Sequence, residues 1–501
     1  VSPTTINDIV REVLTSRVYD VASKTPLERA EKLSHTLGTN VYLKREDMQP
    51  VHSFKLRGAY NKMCRLTEAE KKQGVIAASA GNHAQGVALA AQKLGISALI
   101  VMPRTTPSIK VDAVRGYGAE VVLTGDNYSE AAEACAELTH KTGRTFIHPF
   151  DDPLVIAGQG TIGQEIIEQL PDVTHIFVPI GGGGLIAGIA HYVKAVRPDV
   201  QIVGVEPVDS AAMKKSLAKG ERVVLRHVGI FADGVAVKQV GEHTFAAAQR
   251  LVDDTITVTT DHICAAINDA FDATRTILEP SGALALAGLK TYELPQDAHA
   301  VAICSGANVS FERLQQIAER TLIGSGKEAL IAVTLPERPG AFLDFCDQIV
   351  GKRSISEFSY RFRARSVAHV LAGISVQDAG DKAALLTHMT KLGFEHTDLS
   401  NDEIAKEHVR HMIGGAGPGH ETELVYHVEF PERPGALGEF LHTVGTEWNV
   451  SLFHYRSSAS DIGRVLIGFE TADRDHLEQR LTATGFDFQR ADTNPALRIF
   501  S

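Results

Sequence analysis

Along residues 1–322, short runs of apolar, largely β-branched residues alternate with Ala-rich stretches of helical character. The runs Val75–Ala78, Ala98–Met102, Val121–Thr124, Ile176–Ile180, Ile202–Glu206 and Ala300–Cys304 predict strands. Asn82–Leu94, Ser108–Tyr117 and a stretch ending at Val196 predict helices. Strands that are apolar over their whole length and feed into helices imply an α/β fold, with a parallel sheet covered on both faces.

The pattern changes after Gly324-Ser325-Gly326, a short stretch suited to a linker. From Glu328 onward apolar and polar positions alternate, as at Ile331, Val333 and Leu335, which predicts strands with one buried face. The elements then repeat. Pro336–Arg361 and Pro431–Arg456 align without a gap at an offset of 95 residues, with 11 of 26 positions identical. Each copy fits a strand, a PERPG turn, a helix, two strands, a helix and a last strand, which is the ferredoxin-like βαββαβ order. The expected division is 1–322 for the first part, with a smaller lobe at about 45–150, and 323–328 for the linker. The first copy then takes 329–407, a connector 408–422 and the second copy 423–501.

Composition narrows the field. A chain of 501 residues suggests about three or four domains. No run approaches the roughly 18 apolar residues of a membrane span, and the first residues show neither the basic nor the apolar segment of a secretory leader. The net charge of −11 argues against nucleic acid as a partner. Residues 327–501 hold 18 Lys and Arg against 25 Asp and Glu, so most of that acidity lies outside the first 326 residues. Five widely spaced cysteines without a C-x-x-C pair predict neither a disulfide framework nor a zinc site, and fit the cytoplasm.

Three segments carry candidate chemistry. In Glu46–Ala59, Ser53 is expected to cap a helix from about Phe54, placing Lys55 in its first turn. The positive end of a helix lowers an amine's pKa and favours the neutral form that a Schiff base needs. A solvated lysine is the plainer reading. Gly181-Gly182-Gly183-Gly184-Leu185 lies between a strand and a helix, where successive backbone N–H groups cradle a phosphate. It matches neither the dinucleotide nor the ATP fingerprint, and a tight turn is the alternative. Ser79-Ala80-Gly81-Asn82-His83 forms a second such nest, suited to a carboxylate, with His83 open to a structural role. Ser305-Gly306-Ala307-Asn308 follows another strand end, where ligands of open α/β sheets gather. Lysine, phosphate nest, carboxylate nest and hydroxyl together suggest pyridoxal phosphate acting on an amino acid.

Ser53–Ala59 (SFKLRGA) resembles the lysine signature of the serine/threonine dehydratases. Ser79–Gln85, Gly181–Leu185, Glu279–Ala283 (EPSGA) and Ser305–Asn308 are similar to further motifs of that family, in the same order. The duplicated C-terminal part, with PERPG, FxYR and HVRHMIGG, resembles the biosynthetic threonine deaminases. The resemblance implies a tryptophan-synthase-β-like (fold type II) catalytic region of two α/β lobes, followed by two ACT-like regulatory domains. It implies that Lys55 forms the Schiff base with pyridoxal 5'-phosphate and acts as general base. Phe54 would lie beside the ring, Asn82 bond its 3-hydroxyl, and Ser305 face its nitrogen. Gly181, Gly182, Gly183, Gly184 and Leu185 would hold its phosphate, and Ser79, Ala80, Gly81, Asn82 and His83 the substrate carboxylate.

The implied reaction turns L-threonine, with L-serine as an alternative substrate, into a 2-oxo acid and ammonia, in a cytoplasmic homotetramer. Related serine racemases carry a serine where this chain has Ala80, so racemisation is expected to be slow. Those relatives also bind a divalent cation through a glutamate and an aspartate. Here Glu206 is present but Ala212 stands in the aspartate's place, so no metal is expected. For the regulatory pair the resemblance implies inhibition by isoleucine, opposed by valine. Asn449, Phe453 and Tyr455 in the second copy, and Phe358 and Tyr360 in the first, are the candidate effector residues. The competing readings are a β-replacing or racemising relative and a non-catalytic amino-acid sensor.

Overall fold

The computed structural model describes residues 6–336, 345–351, 353, 355–364, 367–411, 423–431, 440, 443–444, 448–456, 462–491 and 493–500. The chain forms two compact units, Val1–Leu314 and Gln315–Ser501. The division falls near the start of the helix Arg313–Gly324.

Among the described residues the first unit holds ten strands: β1 (Leu27–Arg29), β2 (Asn40–Arg45), β3 (Val75–Ala78), β4 (Ala98–Met102), β5 (Glu120–Leu123), β6 (Thr145–Phe146), β7 (His175–Pro179), β8 (Gln201–Pro207), β9 (Asp254–Val258) and β10 (His299–Cys304). They make two sheets. The smaller has the order β5-β4-β3-β6 and is parallel throughout. The larger has the order β1-β2-β10-β7-β8-β9, parallel except for its antiparallel edge pair β1–β2. The antiparallel strand is a departure from the all-parallel expectation. Leu27–Arg29 is too short for its pattern to announce it, and it exists because β2 offers a free edge. Each sheet packs its own core, with Ile176, Val178, Ile202, Val301 and Ile303 in the larger lobe and Val75, Ala77, Ile100 and Met102 in the smaller.

Glycines set the spacing of the helices behind the site. A Cβ on Gly158 would stand 2.7 Å from the Arg57 carbonyl oxygen and from Gly58 Cα, so the helices Lys55–Met63 and Pro153–Gln169 meet backbone to backbone. A Cβ on Gly188 would stand 2.3 Å from the Ile156 carbonyl oxygen, which brings the helix Gly184–Val196 equally close to Pro153–Gln169.

The second unit holds β11 (Glu328–Pro336), β12 (Ile355–Ala364), β13 (Val367–Ser375), β14 (Glu395–Asp398), β15 (Glu423–Pro431), β16 (Asn449–Arg456), β17 (Ile462–Glu470) and β18 (Asp487–Arg490). The two antiparallel sheets share one order, β12-β13-β11-β14 and β16-β17-β15-β18, as the duplication requires of ferredoxin-like copies. The repeat extends to an irregularity. Register shifts fall between Ile355 and Glu357 and between Val450 and Leu452, again 95 residues apart.

Ile331, Val333 and Leu335 face the core of the first copy as their alternation predicts. The other face of β11 is not left to water. Leu330 and Ala332 are buried with Val425, Leu466 and Leu497 of the second copy, so the two copies share an apolar core. The repeated segments just after Pro336 and Pro431 lie mostly outside the described residues, as do residues 412–422 of the connector 408–422.

No described helix is long and apolar enough to cross a membrane. Cys64, Cys135, Cys264 and Cys304 are free thiols.

Candidate active site

The loop after β10 pairs with the entry to helix Lys55–Met63, Gly86 of the helix after β3 packs on its first turn, and the glycine loop after β7 lies against Phe150, next to the Pro149 carbonyl that Lys55 meets. That helix is held in place by its entry. Ser53 forms a β-bridge with Gly306, and the Phe54 N–H donates to the Ser305 carbonyl at 3.3 Å. The expected cap is not there. Phe54, with helical dihedrals, occupies the capping position without a side-chain bond, and the helix begins at Lys55. Pairing with Gly306 holds Ser53 against the β10 loop, so its hydroxyl does not fold back onto the helix. That hydroxyl is buried without a hydrogen-bond partner among the described residues.

Lys55 Nζ donates to the Pro149 carbonyl at 3.2 Å and stands 5.3 Å from the centre of the Phe54 ring. Burial pushes its pKa down to about 8, against an opposing pull from the Glu279 charge. The lowering expected from the helix end therefore has burial as its cause.

Asn82 opens the helix Asn82–Leu94, directly after β3. Its amide is fixed on both sides. Nδ2 donates to Glu279 Oε1 at 2.6 Å, and Oδ1 accepts from Asn308 Nδ2 at 2.7 Å. Ser281 Oγ donates to the same Glu279 oxygen at 2.9 Å, and Ser305 Oγ donates to the Ser281 carbonyl at 3.1 Å. Burial raises the Glu279 carboxyl above its usual range. Glu279 is the residue that sequence reasoning passed over. The EPSGA motif marked it, but no local pattern shows that it meets Asn82. In the second nest, Gly81 N–H donates to Ser79 Oγ at 3.3 Å, and Ala80 lies beside them. The His83 ring turns into the core, where Nε2 donates to the Ile147 carbonyl at 2.8 Å. Burial, with the Lys55 charge, lowers its pKa to about 3, so it is neutral and only its backbone faces the nest.

The four glycines leave no room for side chains. A Cβ on Gly182 would fall 2.2 Å from the Phe150 ring, one on Gly184 2.9 Å from Phe150 Cα, and one on Gly181 2.9 Å from Val235 Cα. Gly183 takes φ +96°, which L side chains rarely adopt. The Gly182 carbonyl accepts from Thr244 Oγ1 at 2.6 Å, and Leu185 is buried in the lobe core. A loop without side chains at a helix start, a buried amine of lowered pKa and the orphaned Ser53 hydroxyl together fit a phosphorylated aldehyde cofactor.

Residues 18–306 match the family of pyridoxal-phosphate dependent enzymes, and residues 319–409 and 414–500 each match the C-terminal regulatory domain of threonine dehydratase. The chain belongs to the biosynthetic threonine dehydratases.

A biosynthetic L-threonine dehydratase of Burkholderia multivorans is 50% identical over 503 residues, covering 99% of each chain. A chloroplastic biosynthetic threonine dehydratase of Arabidopsis thaliana is 49% identical, covering 96% of this chain and 82% of its own. The solved structure of the processed threonine deaminase isoform 2 of Solanum lycopersicum is 53% identical with a TM-score of 0.62, over 64% of this chain and 95% of that one. This dehydratase is thus a fold-type II pyridoxal-phosphate enzyme, a lyase with C-terminal regulatory domains.

Two further sets of residues complete the picture of the dehydratase. Both Glu206 carboxylate oxygens accept from backbone amides, Oε1 from Met213 and Oε2 from Lys214, each at 2.8 Å. Glu206 thereby caps the helix that begins at Ala212. Of the candidate effector residues, Phe358 and Tyr360 lie on β12 opposite Ala372 and Val370. Asn449, Phe453 and Tyr455 lie on β16 opposite Glu470, Ile467 and Val465. The side chains of all five lie outside the described residues.

Proposed function

We propose that this dehydratase converts L-threonine, and L-serine as an alternative substrate, to a 2-oxo acid and ammonia. With threonine the product is 2-oxobutanoate, the first committed step towards isoleucine. The observation that carries the reading is the buried Lys55 amine of pKa about 8, set beside two nests at strand ends. In this reading Gly181, Gly182, Gly183, Gly184 and Leu185 hold the phosphate of the cofactor, Phe54 flanks its ring and Ser305 meets its nitrogen. Asn82, with one amide N–H still available, reaches its 3-hydroxyl. Ser79, Ala80, Gly81 and the backbone of Asn82 and His83 hold the substrate carboxylate.

Pyridoxal phosphate supplies an electron sink for the charge left at the α-carbon. Lys55, neutral above pH 8, removes the α-proton. The β-hydroxyl leaves as water, taking up the proton that Lys55 removed. Addition of water to the released enamine gives the keto acid and ammonia, so water is regained and the sum is threonine to 2-oxobutanoate and ammonia. Ala80 offers no proton to the opposite face of the α-carbon, which favours elimination over racemisation.

The regulatory copies bind isoleucine as inhibitor and valine as its opponent, near Asn449, Phe453, Tyr455, Phe358 and Tyr360. The assembly is a cytoplasmic homotetramer that needs no divalent metal. Two features support the regulatory reading: the match of both copies to the regulatory domain and the register shift repeated on β12 and β16, since such irregularities re-aim neighbouring side chains. A threonine saturation curve, with and without isoleucine, tests substrate, reaction and regulation together. Keto acid formed equally by Lys55→Ala would sink the mechanism. Unchanged kinetics with isoleucine would sink the regulation.

A further inference from the structure

Glu407, His408 and His427 bring a carboxylate and two imidazoles within 4.8 Å of one another. Arg464 NH1 already holds the Glu407 carboxylate at 2.5 Å, so a cation there would have to displace a guanidinium. A more complete arrangement lies behind the lysine helix.

Residues two apart on a helix point about 200° from each other. Lys55 points towards the Pro149 carbonyl, so Arg57 is sent to the opposite side of the same turn. All five Arg57 N–H groups are engaged there. Nε donates to Glu46 Oε2 at 2.8 Å. NH2 donates to Glu46 Oε1 at 2.8 Å and to the Ser23 carbonyl at 3.2 Å. NH1 donates to Glu165 Oε1 at 2.6 Å and to Thr161 Oγ1 at 3.1 Å. Lys44 Nζ gives its three protons to Glu165 Oε2 at 2.6 Å, the Thr25 carbonyl at 2.7 Å and Gln169 Oε1 at 2.8 Å. The four ionic side chains are fully buried and their charges cancel. Burial would raise the Glu165 carboxyl, but Arg57 and Lys44 hold it below its usual range.

A buried network of this kind is no more stabilising than apolar packing of the same volume. What it adds is a single geometry, because a guanidinium fork meets a carboxylate in one plane. We propose that the Arg57–Glu46–Glu165–Lys44 network is a positioning device for the reaction. It fixes the rotation of helix Lys55–Met63 about its axis, and with it the direction in which Lys55 Nζ points. The backbone contact at Gly158 closes the other degree of freedom, the distance of that helix from Pro153–Gln169. The proposal rests on Lys55 being the cofactor lysine.

The test is Arg57→Lys, which keeps the charge and loses the fork. Holoenzyme is compared with wild type at equal cofactor occupancy, by visible circular dichroism of the bound pyridoxal phosphate without substrate, and then by kinetics on threonine. The expectation is a dichroic band reduced by roughly half or more, and kcat reduced about tenfold or more with KM changed less than about threefold. An unchanged band and kcat, with only a lower Tm, overturn the proposal, because a merely structural network gives that result. Thr161→Val, of the same shape without the hydroxyl that accepts from Arg57 and donates to the Gly158 carbonyl, carries the same expectation at about two- to threefold if Arg57→Lys does not fold. An unchanged band and kcat in that variant overturn it equally. Wild-type holoenzyme that shows the band but makes no keto acid from threonine refutes the proposed function instead, and leaves the dichroism comparison standing.

Discussion

Asn82 Nδ2 donates to Glu279 Oε1 at 2.6 Å, across 197 residues of chain. With Asn308 on its other side, the Asn82 amide has one orientation and one N–H left to offer. Glu279→Ala removes the acceptor of both Asn82 and Ser281. Leaving such partners unpaired costs about 1–3 kcal/mol, so cofactor affinity should fall roughly tenfold. Titration of apoenzyme with pyridoxal phosphate reads this. Glu279→Gln keeps an acceptor oxygen and should fall much less. Equal losses in the two variants would show that charge, not the bond, is what matters.

Lys55 should titrate in the apoenzyme near pH 8 instead of the usual 10.5. The rate of its acylation against pH, followed by peptide mapping, measures this. Glu279→Gln should move the midpoint lower, because the Glu279 charge opposes the effect of burial. The stability linkage has a definite sign. Between pH 8 and 10.5 the unfolded chain binds the proton that the folded one has lost. Stability contributed by this group therefore rises with pH across that window, and its burial is most costly below pH 8. A midpoint above pH 10 contradicts the burial.

Gly182→Ala places a methyl 2.2 Å from the Phe150 ring. The ring or the glycine loop has to move, and overpacking of this sort costs about 1–3 kcal/mol. Cofactor affinity should drop by tenfold or more, on the order of 1.4 kcal/mol at least. Adding Phe150→Leu should recover part of the loss, since the two sites share one contact. A double variant no better than Gly182→Ala would place the damage in the loop backbone instead.

Arg410, in the HVRH segment, holds both Glu328 oxygens with NH2 at 3.2 and 3.1 Å, and the Glu319 carbonyl with NH1 at 3.0 Å. Its side chain is 6% exposed and that of Glu328 1%. Ser356 Oγ, at the register shift of β12, donates to the same carboxylate. Arg410→Met strands a buried carboxylate, which costs about 3–5 kcal/mol. Calorimetry of the full chain should show a second, lower transition for residues 315–501. Isoleucine should lose its effect while keto-acid release persists. A single unshifted transition would show that the pair contributes little.

Much of the fold was legible because its signals are local. Val75–Ala78 and Ala98–Met102 are strands to the residue, since an unbroken apolar run ending at a glycine or proline turn needs no distant partner to declare itself. The glycine turn before helix Gly184–Val196 was legible too, as four successive glycines permit a backbone that side chains would forbid, and Gly183 takes φ +96° there. The expected Ser53 cap fails because the helix alone does not decide where that hydroxyl goes, and Gly306, on a distant loop, holds the residue. The second buried face of β11 was missed for the same reason, since its cover comes from the other copy.

The sequence by itself determined the α/β alternation, which follows from spacing within about a dozen residues, and the duplication, which follows from two segments that match at an offset of 95. Only the tertiary structure decided that Glu279 fixes Asn82, that Phe150 closes on Gly182 and that Arg57 is locked to Glu46 and Glu165. Such partners are chosen by which strand ends and helix faces the topology brings together. Periodicity records the face a residue presents, but not what will be waiting on the other side.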